Sequence, residues 1–355
     1  MGIILFTIFF SFIIFFFLYS NLKRKTKTEE PQLISLDEKP GSKGYLGMSL
    51  PANFKAFGPN CPWNTPIPKN PETDSFSELM INNLKYKAKV LKIDTKKWTI
   101  PLFVIDSKNS PKVDVKTTSI YLYYTVDPDE NGIAEGIPIP EGVWPDPEKD
   151  GHMLLIDPKV RKSWDFSRAK KLPDGSWIAS RIDVWDLNGP GFRDPFSGKY
   201  WWTSGARGSG FPLIAGLIRP EEIEAGEINH ALVFASPINR KATFPEGKPQ
   251  LCSPPASVTD GEEIGYEYIP EGARLQLDPA LDIDSLNLSP ATMVIVRAMQ
   301  KYGMYNGDGS SDFKIYSQNL GPDGGIWSKY NYFDDLKNIP IERFRVLKCN
   351  LVSKP

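Results

Sequence analysis

Histidine and cysteine are scarce in this chain, and charge of either sign is not in excess. There are two histidines and three cysteines in 355 residues, and 42 Lys and Arg stand against 43 Asp and Glu for a formal net charge of −1. Near-neutral charge, with no basic stripe beyond residues 23–27, removes the electrostatic footprint that nucleic-acid binding needs, so nucleic acid is not an expected partner. Cys61, Cys252 and Cys349 form no CxxC or other metal-ligand spacing. One disulfide with a spare thiol and three free thiols fit them equally, so cysteine usage does not fix the compartment. No cofactor is named by the sequence. The alternation of helices with strands that a doubly wound sheet requires is also missing. In its place 32 prolines and 28 glycines punctuate the chain with turn signals.

One long hydrophobic run is present. Ile3–Tyr19 carries no charge and no proline, and is just long enough to cross a hydrocarbon core as a helix. Only Met1 and Gly2 precede it and Ser20-Asn21-Leu22 follow, which lacks the basic start and small-residue cleavage site of a removable signal. Residues 1–22 therefore read as an uncleaved membrane anchor. Residues 23–55 are polar and mixed in charge and read as a tether. Residues 56–355 are expected to form a single β-rich globular domain. Lys23, Arg24, Lys25 and Lys27 after the run would by themselves hold the domain on the cytoplasmic side.

Two helices are expected in the domain. Ser75 to Leu91 opens with Ser75 and Glu78 at capping-box spacing. Pro290 to Tyr302 has Ser289 as N-cap, Pro290 at the first position, an apolar stripe through Met293, Val296 and Met299, and Gly303 to stop it. A short third helix would start at Pro220 and end near Gly226, with Glu221 and Glu222 in its first turn favouring the dipole. Strand-like runs are Trp98–Ile105, Val113–Thr117, Ser119–Val126, His152–Asp157, Ser176–Leu187, Ile228–Ala235 and Ala273–Leu277. Many short strands and few helices point to a mainly β fold, a jelly roll or β-sandwich with two or three peripheral helices.

Several motifs bear a resemblance. Pro62-Trp63-Asn64-Thr65-Pro66-Ile67, the DGHMLLID of residues 150–157, the LPDGSW of 172–177, the SGARGSG of 204–210, Leu217 to Phe234, and the IPEGARL of 269–275 resemble a family of secreted or surface proteins of prokaryotes. The resemblance runs from about Phe57 to Leu347. It implies an exported β-sandwich domain, often found beside carbohydrate-binding modules, with no established reaction. Export weighs against the charge-flank argument and favours an outward-facing, extracytoplasmic domain.

The candidate chemistry begins with the histidines, since each lies in one of these motifs. Read as strand residues, His230 shares a face with Ile228, Leu232 and Phe234, and His152 with Leu154 and Ile156. If those faces line one groove, the two imidazoles can serve as general acid, general base or metal ligand. The bland alternative makes each a core histidine bonded to a carbonyl or carboxylate. Asp157 and Asp183 are the carboxylates nominated beside them, because glycosidic cleavage uses two facing carboxyls. Asp157-Pro158 equally suits a strand-ending turn. Asp183 and Asp186 occupy opposite faces of a strand, and the inward one needs a partner such as Arg181 or Arg207.

Arg207 is the candidate for binding an anionic or hydroxylated substrate, and Trp201 and Trp202 for stacking on a sugar ring. Trp177 and Trp185 read as core. SGARGSG lacks the lysine of a phosphate loop and reads as a tight turn. Asp127, Asp129 and Glu130, like Asp278, Asp282 and Asp284, fall short of the calcium-loop pattern.

Three readings follow. The leading one is a membrane-anchored surface protein that engages carbohydrate or another surface polymer, with hydrolysis of it as the catalytic version. The second is a non-catalytic binding or structural surface module. The third is a metal-dependent hydrolase built on the two histidines and an aspartate.

Overall fold

A computed structural model describes residues 32–33, 48–118, 126, 128–193, 205–241 and 253–349. The anchor run, most of the tether, the expected strand over 119–125, Asp127, Trp201, Trp202 and Cys252 lie outside the described residues. From Met48 onward the described residues belong to one compact unit. Among the described residues no helix is long and apolar enough to cross a membrane.

The fold is mainly β, with mixed sheets and few helices. Among the described residues the α-helices are α1 (Ser77–Ala88), α2 (Pro220–Ala225) and α3 (Pro290–Lys301). α3 follows its sequence signals: Ser289 Oγ accepts from Thr292 N at 3.3 Å, Pro290 is at the start, and Met293, Val296 and Met299 are buried. α1 is shorter than its capping-box signal implies. Its N-cap is Phe76, and Asp74 Oδ1 rather than Ser75 takes the Phe76 N–H, at 2.9 Å. α1 buries Met80, Ile81, Leu84 and Ala88 and leaves Leu79 and Tyr86 exposed.

Three sheets stack face to face through shared cores. The largest has six strands in the order β14 (Phe344–Val346), β11 (Arg274–Leu277), β12 (Met304–Gly309), β10 (Leu232–Ser236), β13 (Phe313–Tyr316) and β1 (Leu91–Asp94). A second, four-stranded sheet runs β9 (Arg181–Asp186), β6 (Lys162–Ser167), β5 (Met153–Asp157) and β2 (Leu102–Val104). The third runs β4 (Ile133–Pro138), β3 (Lys112–Thr117), β8 (Trp177–Ala179) and β7 (Lys170–Lys171).

Residue alternation assigns the layers. On β10, Leu232 and Phe234 pack with Met80, Leu84 and Val296 of the helices, while Val233 and Ala235 pack with Leu154, Ile156 and Trp185 of the second sheet. On β5, Leu154 and Ile156 face the first sheet, and Met153 and Leu155 face Val115, Trp177 and Ala179 of the third. Every residue of β5 and β10 is therefore buried, which explains why both segments read as continuous apolar runs. Trp177 and Trp185 are core, as their sequence context suggests.

The structure corrects several strand boundaries. The expected run 176–187 breaks at Ser180: Trp177–Ala179 belongs to the third sheet and Arg181–Asp186 to the second. The expected start at Ile228 is too early, since β10 begins at Leu232 and His230 lies outside any strand. β6, β12, β13 and β14 carry polar residues or turn-like composition and gave no strand signal.

Gly216 shows how tightly the layers meet. Its φ is +66°, and a Cβ there would stand 2.3 Å from Val233 N on β10. Gly216→Ala is expected to destabilise the domain by at least about 2 kcal/mol in urea unfolding, because both the backbone conformation and the contact forbid a side chain; an unchanged midpoint would contradict this packing.

Candidate functional site

The face of the second sheet that meets the first sheet is not uniformly apolar. Trp164 and Phe166 of β6 point to the third sheet, so Asp165 between them points the other way, and Asp183 lies directly opposite it on β9. Both carboxylates are fully buried. Asp165 Oδ2 accepts from Leu213 N at 2.6 Å, but burial, with Asp183 beside it, pushes its carboxyl up to about 7. Asp183 pairs with Arg193 Nη2 at 2.9 Å, and Arg181 Nε is 3.9 Å from its other oxygen. Of the two partners expected from sequence, Arg181 is the one in reach, although Arg193 holds the shorter contact.

Arg207 is buried beside them, between the two sheets. Its side chain is 1% exposed. The guanidinium stacks over the Tyr316 ring of β13 at 4.5 Å and reaches Leu213 O through Nη2 at 3.4 Å. Nε and Nη1 are buried without a hydrogen-bond partner among the described residues. A buried cation left this way costs several kcal/mol unless neighbouring groups or a ligand compensate. Burial lowers its pKa, opposed by Tyr316, Asp308 and Asp165.

His152 belongs to the same neighbourhood. Its Nε2–H donates to Ala206 O at 3.0 Å. Burial pulls the ring down to about 4, against Asp150, which raises it, and together with Arg207, which lowers it further. At neutral pH His152 is an uncharged, hydrogen-bonded core group.

Beyond Arg207 the polar seam opens toward solvent. Asp308 at the end of β12 is half-buried and Asp260 is exposed, while Glu271 beneath them is 0% exposed. Both aspartates converge on Gly208. Gly208 N donates to Asp308 Oδ1 at 3.4 Å, and a Cβ on Gly208 would lie 2.4 Å from Asp260 Oδ2. The glycine-rich loop is thus the tight turn expected of it, and its missing side chain is what lets two carboxyls approach one backbone.

Glu271 Oε2 accepts from Asp260 N at 3.1 Å, and Asn239 Nδ2 donates to its other oxygen at 3.5 Å. Burial, followed by the charge of Asp260, raises Glu271 well above the usual glutamate range. Partial desolvation of the Asp260 carboxyl against the protein raises it, although the residue is open to solvent, and its hydrogen bonding with Glu271 lowers it. Asp308 is pushed up to about 7 by burial and by Asp260, against the pull of Arg207. Carboxyls with separated proton affinities, graded from solvent to core, are what acid–base chemistry uses.

The other nominated residues lie elsewhere. His230 Nε2 stands 3.0 Å from Glu222 Oε1 and Nδ1 stands 2.9 Å from Ala231 O. Glu222 also takes the Arg219 backbone and side chain, and Arg219 reaches Pro51 O and Ala52 O. Burial would raise Glu222, but Arg219 and His230 overcome it and hold the carboxylate at about 2. The adjoining cavity of about 20 Å³ has room for a single water.

His230 precedes the Leu232 end of β10, which pairs with Met304, whereas Asp308 pairs with Ala235 at the other end. Those two ends are roughly 10 Å apart along the strand. The two histidines therefore have separate partners and serve separate neighbourhoods. Asp157 is buried and takes Ser107 N, Ser107 Oγ, Lys159 N and Val160 N, the turn-ending role that its proline neighbour suggests. Asp129 closes its own loop on Ile133 N, and Asp278 pairs with Arg343. Among the described residues, no group of three or more His, Cys, Asp or Glu is placed to hold a metal ion.

Asp165, Asp260, Glu271, Asp308 and Tyr316 escaped sequence reasoning. Glu271 sits inside the IPEGARL motif, which was the available signal; Asp308 lies in the turn-like MYNGDG stretch, which offered none. No protein-family model, curated protein or solved structure matches the chain.

Two pH effects follow. His152 has a depressed pKa in the folded state, so the unfolded chain binds more protons between 6.5 and about 4. Stability should fall as pH drops through that window, and His152→Asn should lessen the fall in urea titrations; parallel curves would contradict the buried neutral ring. Glu222 is a depressed carboxylate, whose contribution is complete above 4.5 and lost as pH falls toward about 2. Glu222→Gln should be less stable than wild type at pH 7, with the gap closing across that range; a gap independent of pH would contradict the ion pairs.

Proposed function

We propose that this is a membrane-anchored surface protein whose acidic cluster engages a carbohydrate polymer and hydrolyses its glycosidic bonds. The observation that carries the reading is the convergence of Asp308 and Asp260 on Gly208, with Asp308 holding its proton up to about 7. Asp308 is the general acid. It gives its proton to the glycosidic oxygen as the bond to the anomeric carbon breaks. Water attacks that carbon and yields its proton to the Asp260 carboxylate. Glu271, buried beneath it, accepts from Asp260 N at 3.1 Å and holds it in place. Arg207 stabilises the ionised Asp308 left after proton transfer and is a positioning residue rather than a substrate contact.

The anchoring run at Ile3–Tyr19, the outward orientation of the domain and a glycan partner are part of the same proposal; the resemblance to exported proteins found beside carbohydrate-binding modules supports them. The stacking of three sheets through shared cores supports a sandwich-like arrangement. Four parallel pairings, β3 with β8, β10 with β12, β13 with β1 and β2 with β5, depart from an all-antiparallel jelly roll.

On a panel of plant, bacterial and fungal polysaccharides, wild type should release reducing ends, and Asp308→Asn and Asp260→Asn should each lose about 10²- to 10⁴-fold in kcat. Turnover should decline as pH rises through about 7, where Asp308 gives up its proton. Gly208→Ala should also lower turnover, by crowding Asp260 without removing a functional group. Retention of glycan with no reducing ends in wild type would establish the binding-module reading instead, and full turnover in Asp308→Asn would overturn the assignment of the acid.

A further inference from the structure

The apolar surface left open by the domain is gathered on the outer side of α1. The helix turns Ser77, Met80, Ile81, Leu84 and Ala88 inward. By helical spacing Phe76, Leu79, Asn83 and Tyr86 fall on the opposite side. Phe76, Leu79 and Tyr86 are exposed there, Tyr86 to 70%. Tyr266 stacks on Phe76 from a neighbouring loop, with ring centroids 4.4 Å apart and planes at 15°. Asn83 Nδ2 fastens that loop to the helix through Glu267 O at 3.0 Å. Ile264, two residues before Tyr266, is exposed as well. Among the described residues six large hydrophobic side chains are exposed, and Val160 alone lies outside this group. Apolar side chains collected on one face mark a surface made to be covered.

The residues bordering the face bear on what covers it. Lys87 and Lys89 lie over the Tyr86 ring at 6.0 and 5.0 Å, and the Arg240 guanidinium over Tyr266 at 5.6 Å. Glu78, Glu262 and Glu263 are exposed close by in the sequence. A protein partner would have to dehydrate these groups, and protein interfaces are depleted in lysine and glutamate. At a bilayer surface they stay hydrated: cationic side chains lay their stems on apolar surface and keep the charge in water, and tyrosine rings settle at headgroup level. Acids and bases both border the face, so docking draws on apolar area rather than on anionic lipid.

The chain brings its own bilayer. A polypeptide of the length that separates Tyr19 from Met48 spans roughly 30 Å even as a random coil, more than the radius of gyration of about 19 Å expected for a domain of this size. A domain held by the Ile3–Tyr19 run therefore stays within reach of lipid, at an effective concentration where a few inserted side chains suffice. Neither a second copy nor a soluble partner is supplied in this way.

We propose that the outer face of α1 and the 264–266 loop form a membrane-docking surface, laid on the bilayer that holds the chain's own N-terminal run, with Phe76, Leu79, Tyr86, Ile264 and Tyr266 at headgroup depth. The inference rests on the anchor proposed above and is independent of the hydrolytic chemistry.

The test uses the full-length protein in phosphatidylcholine vesicles whose acyl chains carry bromine near the headgroups, where it quenches tryptophan on contact. Flotation first reports whether the protein is anchored. Measured against wild type, the emission added by Phe76→Trp or Tyr266→Trp should be mostly lost in brominated vesicles, and Leu79→Glu combined with Phe76→Trp should restore it. Lys171→Trp, on exposed β7 of the third sheet, at the far side of the layers from α1, should keep its added emission. Failure to float would remove anchor and docking together. Flotation with Phe76→Trp and Tyr266→Trp unquenched, or with Lys171→Trp quenched equally, would overturn the docking and leave the anchor standing. A blue shift of Phe76→Trp that grows with protein concentration in detergent, without quenching by bromine in vesicles, would give the face to a second copy instead.

Discussion

A positive charge sealed between two sheets sets the terms for the rest of the domain. Arg207 is held by one weak carbonyl contact and the face of Tyr316, with Nε and Nη1 unmatched. Such a charge is tolerated only where counter-charges gather, and they come from both sheets: Asp165 from β6 on one side and Asp308 from β12 on the other. Because Asp165 is fully buried and Asp308 half-buried, they cannot both ionise cheaply, and their proton affinities rise toward neutrality. The same burial that makes the arrangement costly therefore makes it chemically responsive.

The glycine-rich loop and the sheet stacking serve this seam. Gly205 and Gly210 approach each other so closely that a Cβ on Gly205 would stand 2.9 Å from the Gly210 carbonyl carbon. That closure turns Arg207 inward and sets Gly208 beneath Asp260 and Asp308. At the opposite end of β10, Glu222 binds Arg219 and His230, and Arg219 in turn grips the carbonyls of Pro51 and Ala52. One end of the strand pair thus organises proton-holding carboxyls. The other fixes the segment that enters the domain.

Much of the scaffold was legible in the sequence where local signals and burial agree. Ser289, Pro290 and Gly303 frame α3 because caps act within a few residues, and the apolar runs of β5 and β10 announce strands covered on both faces. The strand over 176–187 was read as one because periodicity continues through Ser180; only the third dimension shows that the chain changes sheets there. The site was far less legible. Arg207 was visible as a lone basic residue in a glycine loop, and His152 as one of two histidines. Asp165, Asp260, Glu271, Asp308 and Tyr316 come from distant stretches, and their chemistry arises from desolvation, which spacing does not encode. His230 and Asp157 were nominated by residue type, and in the fold each makes local hydrogen bonds away from the acidic cluster.

The central claim is that a buried, incompletely matched guanidinium and its neighbouring carboxyls form a coupled set whose protons are shared near neutral pH. Carboxyl-carbon NMR titration of the aspartates tests it most directly. The account predicts that the Asp308 and Asp165 resonances titrate near about 7 in the folded protein. Midpoints near the ordinary aspartate value of 3.8 for both groups would mean that the seam is a set of conventional ion pairs, and the proposed chemistry would lose its proton donor.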